Sequence, residues 1–129
     1  MELSLDNCAS KPLRAAVDQL ETCISALSSD PPRLKEASEG ACWLQFWAAG
    51  NDCLILHNKV LWVRDQGAKL LEEEREATRR AHADGDAKTV KEARNWRPSR
   101  ETVGAMRAMA KLALLDAKRL ARESKPGRE

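Results

Sequence analysis

Apolar side chains recur along most of this chain at helical spacing. Leu13, Val17, Leu20, Ile24 and Leu27 alternate steps of four and three, which predicts one amphipathic helix over roughly 11–28. Ser10 is a candidate N-cap for it, with Pro12 in the first turn, where a missing N–H costs nothing. Ser28-Ser29-Asp30-Pro31-Pro32 ends that helix. The same tract offers Asp30 as the N-cap of a second, with Pro31 at its first position and Gly50-Asn51 as its stop.

Residues 41–63 are the apolar centre of the sequence. Wound as a helix, 54–63 carries apolar side chains nearly all the way round, the pattern of a buried helix. A β-hairpin at 53–63 is the competing reading, because Val60, Trp62 and Val63 favour strands. Its turn, His57-Asn58-Lys59, lacks Asn-Gly or Asp-Gly chemistry, so helix is favoured. Trp43, Trp47 and Trp62 are then expected in the core.

From Arg64 to Ala83 the pattern becomes polar, with Glu72–Arg75 and Glu76–Arg80 at pairing distances along one helix. This stretch reads as a solvated continuation of the 52–63 segment. Asp84-Gly85-Asp86 is a turn with a fresh N-cap, and a helix of about ten residues follows and ends near Trp96, ahead of Pro98. Ser99 then caps a final helix reaching about Glu123, whose apolar face carries Val103, Met106, Met109, Ala110, Ala113, Ala117 and Leu120. The expected architecture is all-α, a compact bundle of four to five helices in one domain over 1–129, with 1–9 and 124–129 as flexible ends.

Composition agrees with a helical chain: among 129 residues, 43% are hydrophobic and 33% charged, Tyr is absent and Phe46 is the only phenylalanine. The start lacks a basic segment followed by an apolar one, so no secretory signal is expected. The longest uncharged stretch, 40–51, is shorter than the roughly 20 residues of a membrane-spanning helix, which points to a cytoplasmic protein with no membrane partner. In that setting Cys8, Cys23, Cys42 and Cys53 read as four free thiols, most of them buried.

Charge is the most informative chemical feature. Residues 1–74 hold seven Lys/Arg against twelve Asp/Glu, and residues 75–129 hold fifteen against eight, so the overall +2 conceals a dipolar chain. On the last helix, Arg100, Arg107, Lys111, Lys118 and Arg122 fall within about 60° of one another and make a ridge about 33 Å long. The ordinary reading is the wet face of an amphipathic helix, or a face resting on the acidic N-terminal half. Arg94, Trp96 and Arg97 extend the basic region toward a tight connection at Arg97-Pro98-Ser99.

Two functions follow as expectations. The first is a non-enzymatic protein–protein interaction or regulatory protein acting through these C-terminal helices, a homodimer being one form of it. The second is nucleic-acid binding by residues 88–125, where eleven Lys/Arg face four Asp/Glu. The helix-turn-helix resemblance at Arg97-Pro98-Ser99 is thin, since Gly104 interrupts Arg100 and Arg107 and the ridge carries no Asn or Gln. The candidate contact residues are the same for both: Arg94, Trp96, Arg97, Arg100, Arg107, Lys111, Lys118 and Arg122. Catalysis is not expected, because two histidines and scattered carboxylates supply no paired-acid, nucleophile or phosphate-loop motif. No cofactor or metal is expected either; Cys53 and His57 share a helical face but have no positioned third ligand.

Overall fold

A computed structural model of the chain describes residues 12–123. They form five helices: α1 (Pro12–Ser28), α2 (Leu34–Gly50), α3 (Leu54–Asp84), α4 (Ala87–Arg94) and α5 (Arg100–Glu123). No strand occurs among the described residues, and the 53–63 segment is helix. Ser10 and the two ends read as flexible lie outside the described residues.

The four long helices pack in a ring, α1 on α2, α2 on α3, α3 on α5 and α5 on α1. Contacts fix the directions. Ser38 meets Gly67 while Gln45 meets His57, so α2 and α3 run antiparallel. Lys59 meets Asp116 and Gly67 approaches Met106, so α3 and α5 do too. The result is an up-down-up-down four-helix bundle.

Each long helix buries residues in alternating steps of three and four. These are Leu13, Ala16, Leu20, Cys23 and Leu27 on α1, with Ala26 beside Leu27, and Leu34, Ala37, Ala41, Leu44 and Ala48 on α2, with Gly40 beside Ala41. Leu56, Val60, Val63, Gly67 and Leu70 follow on α3, and Val103, Met106, Ala110, Ala113, Ala117 and Leu120 on α5. That average period of 3.5 is the seam of left-handed bundle packing. On α1 it selects Ala16 and Cys23 where the sequence pattern suggests Val17 and Ile24, which are only half-buried. Small side chains occupy the seam because helix axes approach closely there.

The apolar centre is therefore one-sided. Trp43 and Phe46 lie on the outer face of α2, 44% and 65% exposed, and Leu54 is 52% exposed, so the expectation that Trp43 is core fails. Trp47 and Trp62 are half-buried against the two core clusters. The reading of Asp30 as N-cap and Pro31 as first helical residue also fails, since α2 starts at Leu34. A residue before proline is pushed out of the α region, so Pro31, preceding Pro32, cannot open the helix. The linker is closed instead by Arg33 N–H donating to Ala26 O at 2.9 Å.

Several local signals act as the sequence suggests. Gly85, at φ 65°, ends α3 in the left-handed conformation that glycine adopts without a Cβ clash. Asp86 caps α4 by accepting from Thr89 N–H at 2.8 Å. That bond and a second from the Thr89 hydroxyl hold the Asp86 carboxyl below its ordinary pKa. Ser99 Oγ accepts from Thr102 N–H at 3.3 Å at the start of α5.

After Leu70 no residue of α3 is buried. Leu71 still packs against the core; from Glu72 onward α3 extends past the bundle, and α4 returns along it as a helical hairpin. Its outer α3 face carries a charge ladder in which Arg79 reaches Glu72 at 3.1 Å and Glu76 at 2.6 Å. The expected Glu72–Arg75 and Glu76–Arg80 pairs are present at 3.3 and 3.9 Å.

Candidate functional site

The bundle end from which the hairpin projects gathers two connections, Ser29–Arg33 between α1 and α2 and Asn95–Ser99 between α4 and α5. Prolines restrain both. Ser29 Oγ lies 2.9 Å from Ala26 O and 3.0 Å from Pro31 O, which pins the first connection to the end of α1. The second is anchored by Trp96, half-buried against the core cluster that contains Leu34 and Leu70. The two connections leave a cleft on either side of Pro32, Arg97 and Pro98.

One cleft, of about 550 Å³, runs between the start of α2 and the base of the hairpin. Trp96, Leu34 and Leu71 line it with Pro31, and its charged rim mixes Arg33, Lys35 and Arg97 with Glu36, Glu39 and Glu74. The other, of about 490 Å³, lies between the end of α1 and the start of α5. Arg97, Arg100 and Arg107 line it, with Asp30 as the only carboxylate and Ser29 beside it.

The eight residues singled out from the sequence have three different fates. Arg97, Arg100 and Arg107 come together on the second cleft, and Trp96 stands on the first. Arg94 and Lys111 are exposed but lie apart from both. Lys118 approaches Glu21 of α1 at 3.9 Å, and Arg122 is engaged within the chain.

Arg107 does not point freely outward as its helical angle suggests. It is half-buried, and its Nη1 donates to Leu27 O at 3.5 Å, setting a cation on the negative end of α1. The ridge along α5 is thus not an unbroken row of free charges: it rests in part on the acidic α1. The opposite wall of the arginine cleft, Ser29, Asp30 and Pro32, carries no signal in the sequence beyond the paired prolines.

Arg97 donates to its own neighbour's carbonyl, Trp96 O, at 2.8 Å, which holds the guanidinium against the connection. Arg100 has no acidic partner among the described residues. Three guanidinium groups against one carboxylate leave the cleft with a net charge of +2.

Two other candidate groups resolve differently. His57 Nε2 accepts from Gln45 Nε2 at 3.1 Å, while Gln45 Oε1 accepts from Arg64 Nη1 at 3.0 Å. The arginine sets the amide's orientation, and the amide sets the tautomer, leaving the histidine proton on Nδ1, 3.4 Å from Asn58 Oδ1. Cys53 is buried and disulfide-bonded, so the reading of four free thiols fails at this position and no thiolate stands beside His57. Cys23 and Cys42 are free, and Cys8 lies outside the described residues.

Among the described residues no group of three or more His, Cys, Asp or Glu is placed to hold a metal ion. No described helix is long and apolar enough to cross a membrane. No protein-family model, curated protein or solved structure matches this chain.

Proposed function

We propose that this chain is a non-enzymatic interaction protein that binds a protein partner through the bundle end formed by the α4–α5 connection and the first turns of α5. The observation that supports this most is the convergence of Trp96, Arg97 and Arg100 on two adjoining clefts. Tryptophan and arginine supply most binding energy where they are anchored, because little conformational freedom remains to be lost. Here Trp96 is held by the core and Arg97 by a main-chain carbonyl.

The second reading, a nucleic acid lying along α5, has less to rest on. Duplex binding uses a row of cations, and two of the five in this row, Arg107 and Lys118, already contact α1.

Charge reversal tests the proposal. The parent chain, an Arg97→Glu/Arg100→Glu variant and a Lys111→Glu variant are immobilised and exposed to host extract over a range of salt concentrations. A protein retained by the parent and by Lys111→Glu but lost from the double variant supports the bundle end as the contact surface. Retention by all three, or by none, overturns it. Light scattering on the same proteins identifies a second copy as the partner if only the double variant becomes monomeric.

A further inference from the structure

We infer that the cleft of Arg97, Arg100 and Arg107 is a recognition pocket for a phosphate monoester carried on a peptide segment of the partner. The inference rests on the interaction reading above and supplies the chemistry of the group that the partner brings. A phosphorylated side chain carries close to two negative charges at neutral pH and three strong acceptor oxygens. The cleft presents the complement: three guanidiniums and one carboxylate, Asp30, in a space of about 490 Å³.

Guanidinium forks recognise phosphate oxygens bidentately, and no rearrangement of ion pairs is needed to free them. Neither Arg97 nor Arg100 pairs with a carboxylate among the described residues. Arg107 makes one 3.5 Å contact to Leu27 O and retains further N–H groups for a ligand.

The arrangement selects among anions. A phosphodiester carries a single charge and comes in a chain, which calls for cations in a row. These cations line one cleft from two elements, Arg97 from the connection and Arg100 and Arg107 from α5, rather than standing in a row. A carboxylate likewise cancels only half of the excess charge. The monoester dianion is the group whose charge and compactness both match. Ser29 at the rim adds a hydroxyl whose hydrogen can turn from the main chain to the ligand.

The test uses the full chain labelled with ¹⁵N and three probes: acetyl-Gly-phosphoserine-Gly-amide, the same peptide unphosphorylated, and a random-sequence duplex oligonucleotide. Saturable shifts at Ser29, Asp30 and the first turn of α5 are expected with the phosphopeptide alone. Its affinity should weaken as pH falls through about 6, where the monoester takes up its second proton. Replacing Arg97 or Arg100 by Gln should each weaken binding at least about tenfold, as charged hydrogen bonds are lost. Asp30→Asn should strengthen it, because the cleft gains net positive charge. The absence of saturable shifts, or unchanged affinity in Arg97→Gln/Arg100→Gln, overturns the inference. So does tighter binding of the oligonucleotide that also shifts Lys111, which would mean a polyanion along α5. Absence of phosphopeptide binding to the parent chain together with intact partner capture refutes this pocket and leaves the interaction surface standing.

Discussion

Replacing Gly40 with alanine probes the narrow seam between α1 and α2. In a helix interior Gly→Ala ordinarily stabilises by about 1 kcal/mol, since glycine surrenders more backbone freedom on folding. At Gly40 the added Cβ would lie 2.6 Å from Gln19 Nε2 and 2.7 Å from Cys23 Sγ. Gln19 can move, because the contacting atom is the tip of a flexible, half-buried side chain. Cys23 cannot move without cost: it is 2% exposed and its thiol points at Ala37 O, 3.6 Å away. Overpacking of this kind costs about 1–3 kcal/mol, so the net expectation is a loss of up to about 2 kcal/mol. Gly104 is the internal comparison, because nothing lies within 4 Å of its added Cβ. Gly104→Ala should therefore stabilise by about 0.5–1 kcal/mol. Urea unfolding of both variants and the parent measures the contrast, provided the slopes agree. Cys23→Ala removes the obstructing sulfur, so adding Gly40→Ala to that background should be neutral or stabilising, a coupling of about 1–3 kcal/mol. Stabilisation by Gly40→Ala equal to that at Gly104, or a cost that persists without Cys23, would refute the assigned α1–α2 packing.

Two further outcomes follow from the cysteines. Burial first, and the nearby Glu36 carboxylate second, push the Cys23 thiol from its ordinary 9.0 up to about 11. Its contribution to stability is complete below pH 9 and is lost as pH rises toward about 11, because the unfolded chain ionises first. Stability should fall there by up to about 1.4 kcal/mol per pH unit more steeply than in Cys23→Ala. Identical slopes in the two proteins, from unfolding curves between pH 8 and 11, would rule this out. Cys53 should resist alkylation in the denatured chain until a reductant is added, whereas Cys23 and Cys42 label at once. Mass spectrometry of the peptides decides it, and labelling of Cys53 without reductant would contradict the disulfide.

Helix positions and their ends were legible in the sequence because they depend on neighbours within about four residues. Gly85, Asp86 and Ser99 act where they stand, and the buried face of α5 is the face its spacing predicts. The paired prolines end the linker later than the capping pattern predicts for a reason equally local, the restriction of Pro31 by Pro32. The remaining differences needed the assembled bundle. A helix with apolar residues on neighbouring rows can turn either row inward; on α1 the close approach of α2 admits Ala16 and Cys23 and leaves Val17 and Ile24 at the edge. Hydrophobicity places Trp43 in the core on sequence grounds, but a two-layer bundle has an outer face on every helix, and Trp43 and Phe46 lie on that of α2. Arg107 looked free because its angle on α5 is right for solvent, yet Leu27 ends α1 beside it, eighty residues away in the chain. The arginine cleft is likewise made by two connections that no spacing rule links. Local hydrogen bonding and period determine which residues wind into helices; which groups then meet depends on how those helices share one seam.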